Sequence, residues 1–287
     1  MTAFTSVEKR IDAVAHVLLA KLPQRGLSGA GVEFLVFGLK QAWACLFGGV
    51  LLALIMASAL WWPADLPLAR YDALFLTALM LQGAMLGFRL EMPEEALVIL
   101  VFHLVGTGME LFKTSAGSWA YPEANLFRIG GVPLFSGFMY AAVGSYLARV
   151  TRIFDFHFSS YPPTWATVAL AAGIYANFFT HHYGPDLRLL LFAATALLFW
   201  RCSVHYRVFR FRHRMNMLLG FFLVSFFIWC AENIATASRI WIYPNQKAGW
   251  SMVSLGKLSS WYLLMIISFV LVNLVHQPKR VTERSAA

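Results

Sequence analysis

Eight long apolar runs, at about 36–62, 72–88, 95–113, 130–149, 163–180, 187–204, 215–236 and 252–275, leave this chain few ways to fold. A helix needs about 20 mainly apolar residues to cross a hydrocarbon core, and each run is of that order. Hydrophobic residues make up 59% of the 287 and charged ones only 13%, against about 25% charged in a soluble domain. An all-α integral membrane protein with eight transmembrane helices is expected. Soluble sheets and sandwiches are excluded, and a membrane β-barrel would show short alternating segments instead.

The first 35 residues lack the basic, apolar and cleavage-site order of a removable signal peptide. Within "VEKRIDAVAHVLLAKL", Ile11, Val14, Ala15, Leu18 and Leu19 recur at helical spacing while Lys9, Arg10 and Lys21 fall elsewhere. That pattern predicts an amphipathic helix lying in a membrane interface. The expected organisation is this segment (1–35), a first membrane unit (36–150), a second (151–276) and a short tail (277–287). With the N-terminus inside, 16 of the 23 Lys and Arg fall on the inner side and 7 outside. This asymmetry orients the N- and C-termini to the cytoplasm of a bacterial inner membrane and accounts for the net charge of +9 without nucleic acid. The densest inner cluster is "RCSVHYRVFRFRHRM", which controls topology or touches anionic headgroups. Cys45, Cys202 and Cys230 show no paired spacing, so neither a disulfide framework nor a cysteine metal site is indicated.

The chain also nearly repeats itself. "ELFKTSAGSWAYP" begins at Glu110 and "ENIATASRIWIYP" at Glu232, and a shift of 122 residues superposes Glu110 on Glu232, Thr114 on Thr236, Trp119 on Trp241, Tyr121 on Tyr243 and Pro122 on Pro244. The expectation is two tandem four-helix repeats related by an axis along the membrane normal, with both Trp-x-Tyr-Pro loops outside.

Carboxylates in lipid are costly, so Glu110 and Glu232, near the ends of the third and seventh runs, are expected to face a partner or a cavity. Lys113 stands at i+3 from Glu110, where it favours an ion pair, whereas Ala235 takes that place in the second copy. Glu232 is therefore expected to be the protonated acid and Glu110 the carboxylate. His103, Gly106, Glu110 and Thr114 share one helical stripe, and Ser225, Trp229, Glu232 and Thr236 the corresponding one, with Asn233 beside it. Trp119, Tyr121, Trp241 and Tyr243 fit either an interfacial aromatic belt or faces that steady a cation. In "NFFTHHYGPDLR", His181, His182 and Asp186 suit an outer polar mouth or a metal site, although no His-x3-His or Glu-x-x-His spacing accompanies them. Glu123, Lys257, Ser259 and Trp261 complete the candidates for an outer cavity.

The stretches "HLVGTGMELFKTSAGSWAYPE", "GVPLFSGFMYAAVGSYLAR", "NFFTHHYGPDLR" and "CAENIATASRIWIYPNQ" resemble a bacterial family of uncharacterised membrane proteins, the domain of unknown function numbered 817, over roughly residues 30–275. That resemblance implies a multi-pass fold and no known activity. The Glu, Trp-x-Tyr-Pro and Gly-Val-Pro-Leu pieces alone are similar to membrane carotenoid-modifying enzymes, the lycopene cyclases and carotenoid hydratases. Those proteins protonate a polyene, which requires a poised carboxylic acid. Where the cyclases carry Pro-x-Glu-Glu, this chain has Pro133, Leu134, Phe135 and Ser136, so only the broader isoprenoid or polyene chemistry carries over.

No Gly-x-Ser-x-Gly, Gly-x4-Gly-Lys or Gly-x-Gly-x-x-Gly is present, which disfavours serine hydrolysis and nucleotide-driven pumping, and no cofactor is expected. Two functions compete: acid catalysis on a lipid-soluble substrate, with Glu110 and Glu232 as the reacting pair, and proton-coupled transport of a small solute through the same acids. A structural membrane subunit needs no site at all. Polar residues concentrate toward one side, with only His103 clearly deeper, which favours the enzyme.

Overall fold

The computed structural model describes residues 4–21, 26–63 and 65–281. The side chains of Leu18 and Leu19, together with Arg25, Arg284 and the rest of 282–287, lie outside the described residues. The chain is mostly helical: α1 Ser6–Leu19, α2 Gly26–Ala44, α3 Leu46–Trp61, α4 Arg70–Gly87, α5 Pro93–Ser115, α6 Phe135–Ile153, α7 Thr164–Thr180, α8 Arg188–Phe199, α9 Met217–Ala237 and α10 Leu255–Val275. Three of these, α5, α9 and α10, are long and apolar enough to cross a membrane. A fourth crossing is available if α2 and α3 act together, although they meet at a 70° bend.

Several expectations need correcting. The run 36–62 is not one straight helix but a pair broken at Cys45, and its first helix starts at Gly26, inside the expected N-terminal segment. The run 187–204 is helical only over the 12 residues of α8, about 18 Å of rise, which is short of a hydrocarbon core. The chain is not wholly helical either. A two-stranded ribbon, β1 Arg128–Ile129 with β2 Val132–Pro133, leads into α6. A three-stranded antiparallel sheet has the order β3 His157–Ser159, β4 Ser203–Arg207, β5 Arg212–Asn216. Its β4–β5 hairpin is the basic cluster "RCSVHYRVFRFRHRM", in which buried Val204 alternates with polar neighbours. Residues Lys279 and Val281 bond to Phe158 and extend β3 on its free side.

Helix α5 packs most extensively against α6, and α10 against α9. The α5–α6 contact depends on small residues, as close helix crossings do in membranes. A Cβ on Gly106 would come within 2.6 Å of Tyr140, and one on Gly137 within 2.5 Å of His103 Nδ1.

The start of α5 and the end of α6 carry a buried ionic network. Arg149, wholly buried, contacts Glu91 Oε1 at 3.3 Å and the Trp43 carbonyl at 3.3 Å. Arg152 grips Glu95 with two nitrogens, at 2.8 and 3.1 Å, and also pairs with Glu8 of α1. Glu8 in addition accepts from Trp43 Nε1 at 3.0 Å. Helix α1, opened by a Thr5–Glu8 capping box, is thus tethered by its acid, while Ile11, Val14 and Val17 face outward.

Removing one member of a buried ion pair strands the other charge, at a cost of about 3–5 kcal/mol. Arg149→Ala is therefore expected to lower the thermal unfolding midpoint sharply in detergent, and the further change Glu91→Gln to restore part of the loss. A midpoint unmoved by Arg149→Ala would show that the pair does not hold these helices. The α1 tether is expected to depend on pH. Burial alone would raise the Glu8 carboxyl, but the Arg152 guanidinium, the Thr5 N–H and the Trp43 indole hold it below its ordinary range. A lowered folded value means that the tether contributes fully above the unfolded carboxylate range and is lost as pH falls through the folded value. A nitroxide on Val17→Cys is expected to loosen only when the pH falls below the ordinary glutamate range, and to be loose already at pH 7 in Glu8→Ala. Equal mobility of the two proteins at pH 7 would remove the tether.

Candidate functional site

Glu110 lies near the end of α5, and the chain then doubles back over it. Gly117, with φ +70°, makes the left-handed turn that only glycine adopts freely, and its N–H bonds to the Thr114 carbonyl at 3.1 Å while the Ser118 N–H reaches that of Lys113 at 2.9 Å. The same turn follows α9, where Arg239 takes φ +53°. The guanidinium of Arg70 steadies this second turn by donating to the carbonyls of Ser238 and Arg239. Both turns send a Trp-x-Tyr segment back across the end of its own helix, and the two segments meet. Ala120 and Ile242 exchange N–H to carbonyl bonds at 3.0 and 2.9 Å as an antiparallel bridge.

The returning aromatics cage the two acids. Glu110, 3% exposed, accepts from Trp119 Nε1 at 2.7 Å, Tyr121 Oη at 2.8 Å and Tyr140 Oη at 2.8 Å. Glu232, 4% exposed, accepts from Tyr243 Oη and from Trp261 Nε1 at 2.8 Å. Tyr121 and Tyr243 hold equivalent places, each eleven residues beyond its acid. Burial first, and then the neighbouring acid, pushes both phenols well above their ordinary value, so they stay donors. The cages touch: Trp119 meets Tyr243 edge to face at 6.1 Å, and Tyr140 lies 6.3 Å from Trp261. The Lys257 ammonium sits over both rings of the first pair, 4.4 Å from Tyr243 and 5.2 Å from Trp119. Beneath Tyr140 and Trp261 an apolar cavity of about 30 Å³ opens between Phe102, Met109, Ile228 and Met265.

Other expected residues take different places. Lys113 does not pair with Glu110. Its ammonium reaches across to α7, 2.8 Å from His182 Nε2 and 3.5 Å from His181 Nε2, over the Phe178 ring. The cation whose field reaches both acids is Lys257, so an ion pair does not distinguish Glu110 from Glu232. Thr114 and Thr236 bond back to their own helices, and Thr236 also accepts from Trp250 Nε1 at 3.2 Å. Asn233 secures the 250–253 loop by accepting from the Val253 N–H at 2.9 Å. Glu123 pairs with Arg70 at 2.5 Å, and Trp241 is buried without contacting Glu232, whose indole partner is Trp261. His103 lies tilted against Phe138 at 4.6 Å, and its buried Nδ1 has no hydrogen-bond partner among the described residues. Asp186 braces its own turn, accepting from Asn177 Nδ2 and the Arg188 N–H. Among the described residues no three His, Cys, Asp or Glu side chains converge as metal ligands.

Tyr140 was not among the sequence candidates, since nothing in its own run marks it. The signal was Gly106, one turn from Glu110 on α5, which opens the gap that Tyr140 fills. Gly106→Ala is accordingly expected to push Tyr140 off Glu110 and cost about 1–3 kcal/mol by overpacking. Tyr140→Phe is expected to cost a similar ~1–3 kcal/mol by removing one donor to a buried carboxylate. Thermal unfolding in detergent reads both, and the double variant is expected to lose less than the sum. Full additivity would show that the two residues act separately.

Comparison with known proteins places the whole arrangement in one family. The family described as protein of unknown function (DUF817) matches residues 33–269. An uncharacterised protein of Bacillus subtilis strain 168, YoaT, is 46% identical over 244 residues, covering 85% of this chain and 91% of the relative. No solved structure matches. Both the carboxylate cages and the two Trp-x-Tyr segments lie within the matched residues, and the chain belongs to the DUF817 family.

Proposed function

We propose that this protein is an inner-membrane enzyme acting by carboxylic-acid catalysis on an apolar, unsaturated lipid of the isoprenoid or polyene class. The observation that carries this reading is the position of the two caged acids. Both are desolvated, both are bounded by aromatic side chains, and the cage floor formed by Tyr140 and Trp261 is also the roof of an apolar cavity. The cavity, about 30 Å³, holds only a methylene-sized group as it stands, so a hydrocarbon chain must part the helices around it to meet the aromatic faces, which steady a developing carbocation, with the acids behind them.

The two acids take different parts in this scheme. Glu110 accepts three neutral donors, which favour a carboxylate. Glu232 accepts one per oxygen and keeps room for a proton. Glu232 is thus the proton donor to a double bond, and Glu110 the counter-charge. The fold proposed around them has eight membrane crossings, with α8 and the bent α2–α3 pair as imperfect ones, and both termini cytoplasmic. Two tandem units make up this fold. An antiparallel bridge between residues 122 apart, Ala120 and Ile242, is what a two-fold axis through that pair would make, and it supports the duplication.

The unpartnered His103 Nδ1, on the Glu110 helix two turns deeper, favours a second reading. As a proton relay it would make the protein a transporter that couples proton movement through the acids to a small solute.

Mass spectrometry of lipid co-purified with the protein separates the two. A bound prenyl or polyene lipid is expected; its absence, together with proton-linked solute flux in liposomes that Glu110→Gln abolishes, would establish transport instead. Infrared spectra are expected to show a protonated-carboxyl band at neutral pH that disappears in Glu232→Gln and persists in Glu110→Gln, and the opposite pattern would exchange the two roles. A cysteine at Ser118 or Asn245 is expected to react from the outside only. Labelling from the cytoplasmic side would invert the topology.

A further inference from the structure

Charges at the loop end of the bundle are segregated. Glu110 and Glu232 accept from neutral phenols and indoles, while the nearby ammonium groups face rings and imidazoles. Lys113, 5% exposed, contacts His181, His182 and Phe178. The Lys257 ammonium lies over the rings of Tyr243 and Trp119, which stand between it and the two acids whose fields it shares. Among the described residues neither lysine pairs with a carboxylate, whereas the neighbouring Arg188 does, with Asp186 at 3.2 Å. Trp119 and Tyr243 form the partition: each directs its polar hydrogen at an acid and its ring toward Lys257.

An ammonium carries three donors, and burying one without an anion is costly. The fields of Lys257 and Arg188 at Lys113 add repulsion to that cost, which the Asp186 carboxylate offsets only in part. A polyatomic oxyanion beside the lysines would relieve both terms and take up the donors that the two imidazoles leave on Lys113 and those of Lys257, as lysines do in phosphate sites. His182, which touches the Lys113 ammonium, is itself exposed at the surface. Partial desolvation and then the Lys113 charge push its imidazole below the usual value, so it stays neutral and does not compete with the lysines as a cation.

We infer that Lys113 and Lys257, flanked by Arg188, His181 and His182, form a binding site for a phosphate-class headgroup, borne by a single-chain amphiphile whose apolar tail runs toward the cavity beneath Tyr140 and Trp261. The headgroup assignment stands on the lysines; the tail rests on the lipid-directed reading of the preceding section. The site supplies what the carboxylate pair lacks, a fixed point that sets how far along the chain the reacting double bond lies from the acid.

The test uses the full chain purified in a neutral maltoside detergent, with dodecyl phosphate, inorganic phosphate and dodecanol as probes and tryptophan fluorescence as the readout, since Trp119 lies under Lys257. Dodecyl phosphate is expected to bind saturably, and more tightly than inorganic phosphate or dodecanol. Lys113→Gln and Lys257→Gln are each expected to weaken it by about tenfold or more. Lys257→Arg keeps the charge and is expected to retain binding, and Lys247→Gln, in the exposed part of the same loop, is expected to change nothing. Unchanged affinity in both glutamine variants, or dodecanol binding as tightly as its phosphate, would overturn the site. Inorganic phosphate binding as tightly as dodecyl phosphate would overturn the amphiphile in favour of a free oxyanion. Affinity is read without turnover: Glu110→Gln and Glu232→Gln remove a negative charge near Lys257 and are expected to bind dodecyl phosphate at least as tightly as the wild type, so failure of the acid chemistry is separable from failure of this site.

Discussion

Hydrogen bonding of buried carboxylates by neutral aromatic donors is the interaction around which this structure is organised. An acid taken from water into an apolar bundle needs partners, and the usual one is a cation. Here indole N–H and phenol O–H groups serve instead, three at Glu110 and two at Glu232. This choice keeps the acids chemically available, because a neutral donor does not fix the charge as a salt bridge does. It also forces the surrounding architecture. Two loops must return over their own helices, and α5 must approach α6 closely enough for a tyrosine to cross between them.

The opposite end of the same helices uses the other solution. Arg149 and Arg152 neutralise Glu91, Glu95 and Glu8 through direct ion pairs. One helix pair therefore presents ion-paired acids at one end and, at the other, an acid held by neutral donors, Glu110. The first end fastens α1 and the helix ends together, and the second keeps its carboxyl group out of direct ion pairs.

Residue spacing made part of the site legible. The eleven-residue interval from Glu110 to Tyr121 and from Glu232 to Tyr243 is a local fact, and a local turn converts it into a contact in both places. Contacts between helices were not legible in that way. Lys113 lies one turn from Glu110, but its long side chain has a choice of neighbours, and the histidines of the α7 terminus take it. Tyr140 reaches Glu110 only because Gly106 leaves room, a fact about two helices at once. Arg149 and Arg152 count in the sequence only as two of the inner-side basic residues, since nothing local ties them to acids some 57 residues earlier. The break at Cys45 interrupts an uninterrupted apolar run, and the β4–β5 hairpin lay hidden because its arginines drew attention from its alternation. The chain's apolar character, by contrast, was plain from composition, because lipid-compatible helices tolerate few charges.

The bridge between Ala120 and Ile242 bears on how anything reaches the acids. Its two hydrogen bonds stitch together the very strands that carry Trp119, Tyr121, Trp241 and Tyr243. These loops are consequently not two separate lids but two leaves of one door. Moving one leaf away from the other breaks both bonds of the bridge, so the coverings of Glu110 and Glu232 are linked through the backbone as well as through the touching rings of Trp119 and Tyr243.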